Sequence, residues 1–202
     1  MNVAEPPSQP ARPQMGEPPR RRRGGPGSLA VFVADEQTDH PVDLERWERL
    51  VRDVLAAEGV EGDVEVALTF VDESAIAELK RTYLDPQAEG PTDVLSFPID
   101  DVQVTGGRWP DAAGPGPGRT PDPDDAPLLL GDVVVCPAVA ARQAPTHAGS
   151  YDDELALLIV HGLLHLLGMD HTTEAETASM RERERALLTA YHGVPTRDPW
   201  AD

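Results

Sequence analysis

The chain has 202 residues, 40% of them hydrophobic, which is enough for one domain with a real core. It carries 36 acidic against 17 basic residues, a net charge of −19, which argues against sequence-independent nucleic-acid binding through a basic surface. No apolar run reaches membrane-spanning length, no signal-peptide core is visible, and a single cysteine, Cys136, cannot close an internal disulfide, so the expected setting is a reducing cytoplasm.

Residues 1–28 are rich in Pro, Gly and Arg and poor in large apolar side chains, so they are expected to be a disordered tail. Its Arg20–Arg23 run is open to two readings, contact with RNA or a solvated tail. Leu29 to Ala34 is short, apolar and bounded, and predicts a buried strand. Between Val42 and Glu58 the spacing of Leu44, Trp47, Leu50, Val51, Val54 and Leu55 predicts an amphipathic helix with Trp47 in its core stripe. Val64, Val66, Leu68 and Phe70 alternate with less apolar residues as a half-buried strand does. Asp72 is placed to cap the next helix, in which Ile76, Leu79 and Tyr83 share a face.

A turn at Pro91 leads into a strand that closes at Pro98. Residues 101–127, dense in Pro, Gly and Asp, are expected to form a flexible insertion within the domain. Leu128 to Cys136 resumes a buried strand, interrupted at Gly131-Asp132, with Cys136 in the core, and Pro137 opens a short helix at its first position. Ser150 with Asp153, and Thr173 with Glu176, have the spacing of capping boxes for two further helices, the first running to Leu167 and the second to Tyr191. Residues 193–202 read as a C-terminal tail. Strands alternating with helices and no repeat make an α/β domain over residues 29–192, in two or three layers.

The most apolar of these segments contains HGLLHLLGMDH, residues 161–171. His161 and His165 are four apart, so on a helix they differ by about 40° and about 6 Å along the axis and face the same way. Gly168 stands where the helix should stop and can take the left-handed conformation that reverses the chain, bringing His171 back over the other two. Three imidazoles on one ion with a position left for water describe a catalytic zinc site. An isolated histidine on an apolar helix is most often a satisfied core residue, but the joint spacing favours the metal. The offsets reproduce the extended zinc-protease pattern His-Glu-x-x-His-x-x-Gly-x-x-His except that Gly162 replaces the catalytic Glu. The site thus keeps the ion holder and lacks the peptidase base. The expected return for a glycine in mid-helix is room for a bulky group near the metal.

HGLLHLLGMDH, together with Gly90-Pro-Thr-Asp-Val-Leu-Ser-Phe-Pro98 and Leu130-Gly-Asp-Val-Val-Val-Cys-Pro137, resembles the signatures of the YbeY family of bacterial metal-dependent endoribonucleases, over roughly residues 29–191. The resemblance implies a mixed, mostly parallel four-stranded sheet with about five helices and a zincin-like metal helix. It implies one Zn2+ ion on His161, His165 and His171. It also implies cleavage of single-stranded RNA in maturation of the small-subunit rRNA 3′ end and in ribosome quality control, with the small ribosomal subunit as partner. One departure matters: many members carry an Arg directly after the aromatic residue at Tyr83, and here Leu84 removes that phosphate contact. Lys80 and Arg81, one turn earlier, either replace it or are solvated helix charges.

A water made acidic by the ion would supply the chemistry. Whether it attacks directly or assists the ribose 2′-hydroxyl is open, and no general base stands out. Glu154, two turns before His161, is either a groove residue or an ordinary helix-start carboxylate. Asp170 either orients a ligand or caps its turn. Thr92, Asp93, Ser96 and Asp132 are further candidates for the groove edge. His40, His147 and His192 read as surface residues, and Trp109 and Trp200 as parts of flexible segments. Two rivals remain: a non-catalytic ribosome-assembly factor stabilised by zinc, and a zincin-type peptidase lacking its Glu. Oligomeric state is not legible.

Overall fold

The computed structural model describes residues 29–99 and 127–201. The readings placed on residues 1–28, on 101–126 and on Trp109 fall outside them. Four strands, β1 (Leu29–Asp35), β2 (Val64–Phe70), β3 (Val94–Pro98) and β4 (Leu128–Val135), form one sheet in the order β1-β2-β4-β3. β1, β2 and β4 run parallel, and β3 closes the far edge antiparallel to β4. Five helices surround it: α1 (Leu44–Ala57), α2 (Glu73–Tyr83), α3 (Pro137–Gln143), α4 (Tyr151–Leu166) and α5 (Glu174–Tyr191).

Parallel neighbours need crossovers, and α1 supplies the one between β1 and β2. Its stripe of Trp47, Leu50, Val51, Val54 and Leu55 is buried as the periodicity predicts. These side chains join β2, β4, α4 and α5 in the main core on one face of the sheet. A smaller cluster on the other face joins Ile76 of α2 and Ala138 and Val139 of α3 to Leu95 and Val134. Helices on both faces give the three-layer form of the expected mixed sheet. β2 alternates strictly, with Val64, Val66, Leu68 and Phe70 buried.

Two predicted burials differ. β1 is half-exposed along most of its length because it is an edge strand, paired on one side only. Tyr83, expected on the buried face of α2, is 69% exposed and packs its ring edge-on against Phe97, because α2 overhangs the sheet beside the short strand β3.

Local chemistry sets the helix ends. The Asp72 side chain accepts the Ala75 N–H at 2.8 Å. Thr173 and Glu176 make the full reciprocal capping box. At α4 only half of the expected box forms: Ser150 Oγ accepts the Asp153 N–H, while the Asp153 carboxylate takes the Ser150 hydroxyl in place of the backbone N–H. α4 ends in a Schellman motif, with Gly168 N–H donating to the His165 carbonyl and Met169 N–H to Leu164, and with Gly168 at φ 83°. Apart from its two histidines, α4 is buried from Asp153 to Leu166. A near-invariantly apolar helix of this kind belongs at the centre of a domain.

Candidate metal centre: three histidines beside a groove

Two turns of helix and one reversal assemble the site. His161 and His165 project from the last two turns of α4, and the Schellman turn returns the chain so that His171 faces them. The ring centroids lie 4.5, 5.0 and 5.5 Å apart, and the ligand nitrogens all fall within 4.8 Å of one another. His161 Nε2 and His165 Nε2 approach to 3.0 Å. That is close to the roughly 3.3 Å edge of a tetrahedron with metal–nitrogen bonds of about 2.0–2.1 Å. His161 and His165 are half-buried and His171 is exposed, so solvent reaches the cluster from one side. Burial lowers the pKa of His165, and the neighbouring His161 and His171 lower it further, favouring the neutral ring that binds a cation. Three neutral nitrogens converging from one side fit a divalent ion with an open coordination position.

His161 and His171 line a groove of about 320 Å³. Asp93 and Val94 at the start of β3, Arg181 and Glu184 of α5, Trp200 and His147 are among the residues of its wall. Arg181 is exposed and makes no ion pair among the described residues, so it presents a permanent positive charge there.

The predicted site residues divide sharply. Asp93 is in the groove wall, and its Oδ1 accepts the Val94 N–H and the Thr92 hydroxyl. Ser96 faces α4 and donates to the Gly162 carbonyl at 3.1 Å. Asp132 pairs with Phe97 and alternates with Val133, which packs against α4, so its side chain stands on the opposite face of the sheet, with its pKa raised by burial. Lys80 and Arg81 end α2 and do not line the groove. The Asp170 carboxylate accepts the His171 N–H at 2.7 Å, which is the turn-capping role.

Glu154 is fully buried and does not face the groove: it accepts the His147 Nδ1–H at 2.9 Å and the Ala148 N–H at 3.1 Å. A carboxylate in the first turn of a buried helix has to be satisfied inside, and the turn before α4 supplies the donors. Gly162 overturns the expectation of space near the metal. A Cβ there would lie 2.6 Å from Val133 Cγ1 and 3.1 Å from Ser96 Oγ, so the glycine serves close packing of α4 on the sheet.

Three residues of the groove, His147, Glu184 and Trp200, escaped sequence reasoning, and so did His192, which lies outside it. His147, expected on the surface, is held by the buried Glu154 and lines the groove. His192 is buried, stacked on Trp47 and donating from Nε2 to Asp153 at 2.9 Å. Glu184 lies on the buried stripe of α5 between Met180 and Leu187 and accepts the His161 Nδ1–H at 2.7 Å. A signal for Glu184 was present: an acidic residue at a core position of a helix needs an internal partner. His147 and its partner Glu154 are separated by the turn before α4, and His192 and Asp153 by 39 residues, so no helical or strand period announces either pair. Trp200 is not in a flexible segment either; its indole N–H donates to Glu184 Oε2 at 2.8 Å.

A mixed α/β sheet whose central helix and the turn after it bring three imidazoles together defines an α/β protein with a candidate metal site. Comparison with known proteins narrows this. The family model for endoribonuclease YbeY matches residues 32–192, and the chain belongs to that family. It is 43% identical over 163 residues to the endoribonuclease YbeY of Moorella thermoacetica, covering 79% of this chain and 96% of the relative. The Acidothermus cellulolyticus protein of the same name is 44% identical over 167 residues, covering 81% and 92%. That of Thermobifida fusca is 41% identical over 164 residues, covering 81% and 94%. The solution structure of TM1509 from Thermotoga maritima matches with a TM-score of 0.48 at 21% identity, covering 85% of this chain and 99% of that one.

Proposed function

We propose that this protein is a zinc-dependent endoribonuclease that cuts single-stranded RNA, acting on the 3′ end of small-subunit rRNA and in ribosome quality control in the cytoplasm. The observation that carries the reading is the triad, with nitrogens within 4.8 Å of one another and with His161 and His171 lining a groove. Membership of the endoribonuclease YbeY family gives the substrate class. Among the described residues no helix is long and apolar enough to cross a membrane.

His161, His165 and His171 would hold the ion, and zinc suits three neutral imidazoles in near-tetrahedral array. When bound, such an ion polarises a non-bridging phosphate oxygen and lowers the pKa of a coordinated water towards 7. The chain's own groups do the rest. Arg181 supplies the cationic contact for a phosphate that Leu84 cannot, from α5 and not from α2. His147 has its Nδ1–H committed to Glu154, which leaves Nε2 as the nitrogen free to accept a proton from a group entering the groove. Asp93, also in the groove wall, disfavours phosphate near it.

The peptidase alternative loses support from the packing, because the position of the zincin Glu is filled by Gly162 pressed on Val133. The test is incubation of the purified full chain with single-stranded RNA and with casein, with and without chelator. RNA cleavage that the chelator stops and Zn2+ restores supports the proposal. RNA left intact by a zinc-loaded, folded protein overturns it in favour of an assembly factor.

A further inference from the structure

Glu184 is the charged member of a stripe otherwise made of Met180, Leu187 and Leu188, and it is 4% exposed. A carboxylate in such surroundings is tolerated only with its oxygens paired. Each oxygen here has its own donor: Oε1 takes the His161 Nδ1–H at 2.7 Å, and Oε2 takes the Trp200 indole N–H at 2.8 Å.

Trp200 reaches this position because residues 193–201 are fastened along the way. Gly193, at φ 130°, turns the chain out of α5. Thr196 donates to Asp153 Oδ2 from both its N–H, at 3.0 Å, and its hydroxyl, at 2.8 Å. Arg197 N–H donates to the Ala148 carbonyl at 3.0 Å. The Arg185 guanidinium then lies over the indole, 4.8 Å from its centroid. The C-terminal segment is thus tied both to the N-terminal turn of α4 and to the outer side of the metal triad at its other end.

We infer that Glu184, itself oriented by Trp200, is a positioning residue that sets the metal affinity of the triad. The inference rests on the reading of His161, His165 and His171 as the metal ligands. With Nδ1–H held by a carboxylate, the His161 ring has one tautomer and one rotation, and its Nε2 lone pair points at His165 and His171. The indole N–H keeps the carboxylate from rotating to satisfy itself elsewhere.

The measurement is zinc affinity of the full chain, by competition with a fluorescent chelator, alongside thermal melting of the metal-free protein. Glu184→Gln should weaken zinc binding about 10–100-fold, the usual effect of losing an outer partner of a metal-bound histidine. Trp200→Phe keeps the packing and removes the indole N–H, and should weaken binding in the same direction by a smaller factor. It also keeps the inference testable if the Glu184 variant folds poorly. Both should leave the metal-free melting temperature close to the parent's. His165→Ala separates the two layers of argument. If it loses zinc while both other variants bind as the parent does, Glu184 is merely structural and the inference is overturned. If His165→Ala binds zinc normally, the triad reading itself fails.

Discussion

The two ends of α4 carry comparable numbers of polar groups and use them in opposite ways. At the N-terminal end Asp153 and Glu154 are buried and fully paired. Asp153 binds Ser150, His192 and Thr196, and Glu154 binds His147 and Ala148. At the C-terminal end His161 and His165 turn Nε2 nitrogens towards each other and lie beside His171, with solvent access. The first end spends its polarity on holding the chain together; the second leaves it available. A helix buried along its middle is what allows this division, since the same apolar packing fixes both ends rigidly.

The sharpest way to break the comparison is at the open end. His165→Ala should reduce zinc affinity by more than about 100-fold, beyond the loss of an outer partner, and abolish RNA cleavage. The metal-free protein should still melt cooperatively, as metal analysis and calorimetry would show together. A variant that keeps full zinc would place the ion elsewhere.

The middle of the helix comes next. Gly162→Ala puts a methyl 2.6 Å from Val133 Cγ1 and should cost about 1–3 kcal/mol, read as a lower urea midpoint. Gly162→Glu should cost at least as much and bring no casein hydrolysis. Gain of peptidase activity would contradict the packing explanation.

The closed end gives a pH-dependent effect. Burial alone would raise the Asp153 pKa, but hydrogen bonds from Ser150, His192 and Thr196 together outweigh it and bring the group down to about 2. A folded value below the unfolded 3.8 means that the carboxylate stabilises the fold above the unfolded pKa and loses that contribution as pH falls towards 2. Asp153→Asn should therefore cost about 2 kcal/mol at pH 7 by urea unfolding, with the gap to the parent narrowing between pH 5 and pH 2. A gap that widens on acidification would reverse the assignment.

The smallest effect belongs to the turn that follows the triad. Thr173→Ala removes the cap of α5 and should cost about 1 kcal/mol, with zinc affinity changed by less than about threefold. A larger loss of zinc would mean that the cap also positions His171.

Much of this molecule is legible from local pattern. The stripe of α1, the alternation of β2, the caps at Asp72 and Thr173, and the His161, His165, Gly168, His171 spacing depend on residues within two or three turns of each other. One backbone period decides them. Even the Gly162 position was visible, though its reason was not: the need comes from Val133, which joins it only when β4 packs under α4.

What the sequence by itself determined, then, is the elements, their caps and the trio of donors, because helical and strand periods bring those residues together without help from the rest of the chain. Only the tertiary structure decided which face of the sheet Asp132 occupies, that Glu154 looks inward to His147, and that Glu184 and Trp200 stand behind His161. Those partners are separated by turns and whole helices, and hydrogen bonds between them exist only after hydrophobic burial has fixed the distances.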